Sequence, residues 1–192
     1  MVDQKESVVT PQRFASSQTY PDFRKQFPQN EEKFQFNYDN TAVSPEDAKA
    51  LKDLVAKPNG PKKMLVIGVD WCPDVYRGLP VFRRVAEAGG MELKIVERDQ
   101  NLDVMNEFLN QGEFQSVPVA IFYTGDQKEI YHFTERPKKA NEEMHHMRAI
   151  REGKTPEEAR PLVDEFQKGP IWAGWRDATV KEIISELQSK VR

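Results

Sequence analysis

Cysteine is nearly absent from this sequence: Cys72 is the only one among 192 residues. A single cysteine cannot form an intramolecular disulfide, which argues against a small secreted fold held together by disulfides. The N-terminal segment also lacks an apolar stretch of signal-peptide length, and no apolar run approaches the roughly 20 residues that span a bilayer. We therefore expect a cytoplasmic protein that has no membrane partner and keeps its cysteine reduced.

An excess of charge of one sign is also lacking. The chain has 28 basic and 31 acidic residues, a formal net charge of −3, and the two signs are interspersed. A nucleic-acid-binding protein usually carries a basic stripe, so no nucleic-acid partner is expected. The sequence contains no GxGxxG, P-loop or HExxH motif. Nucleotide chemistry and zinc hydrolysis therefore have no support, and we predict no cofactor.

One short stretch, NEEMHHMR, carries residue types that bind metals. Glu142 could pair with His145 or with His146 at helical spacing. Two adjacent histidines point in different directions on a helix, and no third ligand is evident. We therefore interpret the stretch as a solvated helix surface and predict no metal site.

Hydrophobic patterning divides the chain into three parts. Residues 1–43 form an N-terminal region, in which a polar, loose arm to about residue 19 precedes one or two short aromatic-rich helices. Residues 44–135 form the core, and residues 136–192 form a helical extension packed on the same domain. Two helices of that extension are predicted to begin with capping boxes at Thr155 and Thr179.

The core segment alternates helices and strands in the order α-β-α-β-α-β-β. Its first helix starts at the N-cap residue Ser44, and its second runs from the cysteine to Gly89 and Gly90. A third helix is predicted over residues 101–112. The strands are KKMLVIGV, MELKIVER, VPVAIFYT and KEIYHFT, of which the first is continuously apolar and therefore central. Strands separated by helices are parallel and the last two form a hairpin, so the sheet is mixed.

Cys72 lies where the first strand gives way to the second helix. Backbone N–H groups and the helix dipole at that position favour a thiolate. Pro73 suits the first helical position, and Trp71 could shield one side of the sulfur. The carboxylate of Asp74 acts in the opposite direction and raises the pKa of the thiol. Arginines further along the helix could offset Asp74 if they face the site; they are Arg77, Arg83 and Arg84.

A second feature lies downstream, at SVPVAIF. Proline cannot donate a ladder hydrogen bond, so Pro118 belongs at the start of its strand. The bond between Val117 and Pro118 is a candidate cis peptide.

These two features together resemble the thioredoxin superfamily. The matching residues are WCPD at the strand-to-helix junction, Pro80 within the helix, RDQN before the next helix and SVP before the hairpin. The centre is most similar to a bacterial thioredoxin-like family with WCxDV or WCxDC motifs. The resemblance covers roughly residues 44–135. It implies an α/β fold, a thioredoxin-like three-layer sandwich with a mixed four-to-five-stranded sheet and extra N- and C-terminal helices.

The resemblance also implies a role for each matching residue. Cys72 would be the nucleophilic thiol and Trp71 its shield, with Pro73 and Asp74 completing the centre. Pro118 would be a cis-proline beside the sulfur, and the backbone of Val117 would pair with an extended substrate.

Two residues depart from the family pattern. Val75 stands where a dithiol member has its resolving cysteine, and Val66 stands where many members have a buried acid. Both losses affect release of a mixed disulfide, which would then need an external thiol. Two functions stay open. One is a monothiol thiol-disulfide oxidoreductase whose partner is a disulfide-containing protein or a low-molecular-weight thiol, and the other is a non-catalytic binding protein of the same fold.

Overall fold

A computed structural model describes residues 7–192 of the chain. Its sheet has four strands in the order β2-β1-β3-β4. β1 runs parallel to β2 and antiparallel to β3, and β3 and β4 form an antiparallel hairpin. The mixed sheet and the order of strands along the chain are therefore confirmed. The expectation that strands separated by helices are parallel holds for β1 and β2 but is wrong for β3, because the segment between β2 and β3 does not return the chain to the end of the sheet where β1 and β2 begin. The strands are β1 (Lys63–Gly68), β2 (Glu92–Glu97), β3 (Val119–Tyr123) and β4 (Glu129–Thr134).

Helices cover both faces of this sheet. In the described part of the chain they are α1 (Pro11–Ser16), α2 (Tyr20–Gln26), α3 (Glu31–Asp39), α4 (Pro45–Ala56), α5 (Pro73–Gly89), α6 (Leu102–Met105), α7 (Lys138–Arg151), α8 (Pro156–Phe166) and α9 (Pro170–Lys190). No helix among the described residues is long and apolar enough to cross a membrane.

The layers follow from the alternation of side chains along β3. Tyr123 contacts Phe14 of α1, with 6.5 Å between ring centroids. The adjacent Phe122 points to the opposite face and stacks on Tyr131, which in turn lies under Lys190 of α9. Helices α1 and α9 therefore enclose the sheet from opposite sides, which gives the expected three-layer α/β sandwich with extra terminal helices.

The apolar pattern positions β1 and α5 at the centre. β1 is buried from Met64 onward and lies between two neighbouring strands. α5 buries Val75, Leu79 and Phe82 completely, as its spacing predicts. The helix ends before Gly90, whose φ of 78° favours glycine.

The expectation of a loose N-terminal arm is wrong for residues 7–19; the part covering residues 1–6 lies outside the described residues. α1 buries Phe14 against the sheet. Gln18 exchanges two backbone hydrogen bonds with Ile95 of β2, at 3.0 and 2.8 Å. Arg13 pairs with Asp103 near α6. A single buried aromatic and one isolated bridge leave no periodicity, so the sequence pattern could not reveal this segment.

The helix predicted over residues 101–112 is also much shorter than expected. α6 ends at Met105, and the chain then turns and forms an isolated bridge between Asn110 and Phe114. Gln111 and Gly112 have φ values of 55° and 75°, which a right-handed helix does not allow. Leu102, the first residue of α6, is 45% exposed.

The C-terminal helices match the sequence in part. Thr155 and Glu158 form the predicted capping box of α8. Thr179 does not begin a helix, because α9 starts at Pro170 and the Thr179 hydroxyl donates to the carbonyl of Trp175. The first turns of α9 bury Trp172 and Trp175. Division of the chain at residues 43/44 and 135/136 stays a prediction.

Candidate functional site

Cys72 is the N-cap residue of α5, and Pro73 is the first residue of that helix. The segment before the cysteine is held by the connection between α2 and α3. The carboxylate of Asp70 accepts from the backbone N–H of Gln29 at 3.0 Å, and the Asn30 amide donates to the Asp70 carbonyl at 2.9 Å. These contacts hold the segment before Cys72 against the connection between α2 and α3.

The sulfur faces the start of β3. Cys72 Sγ lies 3.9 Å from the carbonyl oxygen of Val117, and the peptide bond between Val117 and Pro118 is cis. Gly78 lets α5 approach this bond, because a Cβ there would lie 3.0 Å from the Pro118 ring. The structure thus brings Cys72, Val117 and Pro118 together.

Trp71 lies at the surface beside them, with 52% of its area exposed. The Arg98 guanidinium sits 5.3 Å from its ring centroid and also reaches the carbonyl of Gln115. Arg98 comes from the RDQN stretch, so that stretch reaches the site. Shielding of the sulfur by Trp71 stays a prediction.

The environment of Cys72 favours the thiol over the thiolate. Burial raises the pKa of Cys72 above its ordinary value, and the carboxylate of Asp74 raises it further. Backbone N–H groups of Val75 and Asp74 act in the opposite direction without cancelling this effect. The partly buried sulfur is therefore largely protonated at neutral pH.

Asp74 belongs to a buried charge cluster. One oxygen lies 3.1 Å from the Arg77 guanidinium, and the other lies 3.2 Å from that of Arg136. Arg77 is only 1% exposed, and its guanidinium lies 5.2 and 5.6 Å from the rings of Trp172 and Trp175. Burial lowers the pKa of Arg77. Its charge is held by Asp74 and by the Glu135 carbonyl, 3.3 Å away.

Of the three arginines considered from the sequence, only Arg77 reaches Asp74. Arg83 and Arg84 instead lie over the ring of Tyr38, and Arg83 pairs with Glu87 at 2.8 Å. Arg136 also reaches Asp74, although the short charged stretch ERPKK to which it belongs favours, by its composition, a solvated turn. Its proximity to α5 depends on the turn after β4, so no local signal marked it.

The two departures from the family pattern are core residues. Val75 and Val66 have no exposed surface. Val75 packs on Gly68, where an added Cβ would lie 3.0 Å from its Cγ1. The position of a second thiol is therefore filled by a packed aliphatic side chain. Residues 7–192 contain no group of three acidic, histidine or cysteine side chains placed to hold a metal ion.

Known proteins resemble this chain in fold and in family. Two solved structures show similar folds. One is a protein of unknown function from Pseudomonas aeruginosa, 13% identical with a TM-score of 0.67 over 94% of this chain and 98% of that one. The other is an HIV epitope-scaffold, 15% identical with a TM-score of 0.62 over 92% and 95%. No curated protein matches. A family model described as Thioredoxin matches residues 17–151, most of the length, and the chain belongs to that family.

Proposed function

We propose that the protein is a monothiol thiol-disulfide oxidoreductase in which Cys72 is the nucleophile. The observation that carries this proposal is the placement of the sulfur. Cys72 is the N-cap residue of α5, and its Sγ lies 3.9 Å from the Val117 carbonyl oxygen beside Pro118, where the adjacent backbone would align an extended disulfide. We place this chemistry in the cytoplasm, where small thiols are reduced.

The exchange takes place in two steps. The Cys72 thiolate attacks one sulfur of a disulfide RSSR, the S–S bond breaks, and RS⁻ leaves and takes a proton from solvent. A mixed disulfide between Cys72 and the second R group remains. Because Val75 supplies no thiol, an external thiolate R′S⁻ attacks the R sulfur of this mixed disulfide. Cys72 leaves as a thiolate, RSSR′ departs, and the electron pair comes from the external thiol.

The raised pKa of Cys72 slows its attack on the disulfide, but a more nucleophilic thiolate offsets part of this loss. Each unit of increase lowers the thiolate fraction at neutral pH about tenfold, but the nucleophilicity of a thiolate grows with its pKa, with a Brønsted coefficient of about 0.4–0.5. The two effects together cost about threefold per unit. The rate of exchange should therefore increase with pH above neutrality.

Steady-state reduction of 2-hydroxyethyl disulfide by a small external thiol tests this proposal. A peptide of residues 69–78 carries the same cysteine without the fold and is the reference. We expect the folded chain to exceed the peptide in turnover per cysteine, and Cys72→Ser to remove turnover. A folded chain that is no faster than the peptide with this disulfide and with glutathione disulfide would rule out an oxidoreductase.

A second candidate function is binding without turnover. It is favoured by the raised pKa of Cys72 and by two large apolar side chains near the site, Trp71 and Phe114, which are 52% and 53% exposed. The Arg98 side chain lies over the ring of Trp71 and also contacts the carbonyl of Gln115, the residue that follows Phe114. A binding protein of this kind would hold an extended segment equally well after Cys72→Ser, whereas an oxidoreductase would lose its reaction.

A further inference from the structure

A cavity of about 460 Å³ opens at the start of α5, on the side where the C-terminal helices pack. Pro73 and Tyr76 of α5 line one side of it. The end of α7 and the start of α8 line the other side, so the C-terminal helices complete it. Pro73 directly follows Cys72 in the chain, so the cavity begins one residue from the cysteine, although Cys72 itself does not line it. Its volume falls within the range of about 300–1,000 Å³ that small-molecule sites occupy.

Charge within this cavity is strongly one-sided. Its charged lining residues are Lys33, Arg151, Lys154, Arg160 and Asp164. Lys33 and Asp164 neutralise each other across a distance of 2.8 Å. The remaining three are exposed cations, none of which forms a salt bridge with another residue in the described range. The cavity therefore keeps a net charge of +3 in a protein whose overall net charge is −3.

The chain turn at residues 152–155 brings these cations together. Gly153 has a φ of 68°, which lets the chain reverse between α7 and α8. Arg151 ends α7, and Arg160 lies one turn into α8, whose N-terminal residues Thr155 and Pro156 also line the cavity. The positive end of the α8 dipole adds to the field there. Glu158 is directed to the Thr155 N–H in the capping box and does not line the cavity.

We propose that this cavity binds the anionic part of the small thiol, or of its disulfide, that exchanges with Cys72. The ligand class is a low-molecular-weight thiol with two or more carboxylate groups. Arg151, Lys154 and Arg160 bind the carboxylates, and Tyr76 and Pro73 contact the apolar part. This inference rests on the proposed function and names the substrate class of the same cysteine. In this proposal, helices α7 and α8 select the substrate.

Binding is tested without exchange chemistry by calorimetric titration of glutathione sulfonate, which has carboxylates but no thiol. We expect saturable binding that weakens as salt is added, because the attraction is between charges. Arg160→Gln and Arg151→Gln should each weaken binding about three- to tenfold, as for the loss of one typical hydrogen bond at a solvent-exposed site. Lys52→Gln removes the same charge from an exposed position of α4 outside the cavity and should leave binding unchanged.

Exchange rates separate this inference from the function on which it rests. Arg160→Gln should lower the rate with glutathione disulfide about three- to tenfold and leave the rate with the neutral 2-hydroxyethyl disulfide unchanged. Reaction with both disulfides at rates that Arg160→Gln and Arg151→Gln do not alter would overturn the cavity proposal and preserve the oxidoreductase. Reaction with neither above the rate of the 69–78 peptide would overturn the oxidoreductase. Absence of glutathione sulfonate binding would overturn the cavity proposal by itself.

Discussion

At the scale of single residues, the reactivity of Cys72 depends on a balance between burial and neighbouring charge. Burial and Asp74 raise the pKa of the thiol, and the N–H groups at the start of α5 lower it. Asp74 is itself held between Arg77 and Arg136. The carboxylate therefore compensates a buried arginine while it suppresses the nearby thiolate.

Asp74→Asn separates these two effects. Removal of the negative charge lowers the pKa of Cys72, so the thiolate forms at lower pH and alkylation by iodoacetamide at pH 7 becomes faster. The same change leaves Arg77 poorly compensated and should cost about 1–3 kcal/mol of unfolding free energy. The pH dependence of the alkylation rate and a urea titration measure the two quantities.

Glu87→Gln is the matched control, because Glu87 is an exposed carboxylate at the other end of α5, paired with Arg83. It should leave the alkylation midpoint unchanged. An Asp74→Asn midpoint equal to or above that of the wild type would contradict the assigned cause of the raised pKa.

At the scale of elements, local signals predicted those helices whose ends are determined by neighbouring residues. Ser44 caps α4 by accepting from the Asp47 N–H at 3.1 Å, and Thr155 caps α8 in the same way. The capping-box signal at Thr179 did not mark a helix start. The helix α9 begins earlier, at Pro170, because burial of Trp172 and Trp175 stabilises its first turns. Tertiary packing thus outweighed a local start signal.

Ser44→Ala measures the strength of a correctly predicted cap. Loss of the side-chain acceptor leaves the Asp47 N–H without its partner and should lower the unfolding free energy by about 1 kcal/mol. Ser189→Ala, near the exposed end of α9, is the control and should change it by less than about 0.5 kcal/mol. Equal effects of the two substitutions in urea titrations would show that the Ser44 cap contributes nothing specific.

At the scale of the whole molecule, the N- and C-terminal helices meet through a buried polar contact. The Asn37 side-chain oxygen of α3 accepts from the Trp172 indole at 3.0 Å and from the Arg176 guanidinium at 3.1 Å, both in α9. The aliphatic stripes, the central strand and the cysteine at a helix start could all be predicted from spacing along the sequence. Contacts such as Asn37 with Trp172, or Asp74 with Arg136, join distant segments and leave no periodic trace.

Asn37→Ala should therefore weaken the whole fold. Two buried donors lose their acceptor, and each loss costs about 1–3 kcal/mol. We expect the unfolding free energy to fall by about 2–6 kcal/mol in urea titrations. Gln35→Ala on the exposed side of α3 should change it by less than about 0.5 kcal/mol. An Asn37→Ala chain as stable as Gln35→Ala would mean that α9 packs independently of this contact.

The proposed function requires the fold to make Cys72 a better nucleophile toward disulfides than an unstructured thiol of the same pKa. The rate constant for attack of Cys72 on glutathione disulfide is measured by mass spectrometry at a series of pH values. Each rate constant is then divided by the fraction of Cys72 that is thiolate at that pH, which is obtained from the pH dependence of iodoacetamide alkylation. We expect the rate constant per thiolate to be well above that of the 69–78 peptide after a Brønsted correction for the difference in thiol pKa. The mixed disulfide should persist until an external thiol is added. A corrected rate constant equal to or below that of the peptide would contradict the proposed function and leave binding as the function of the site.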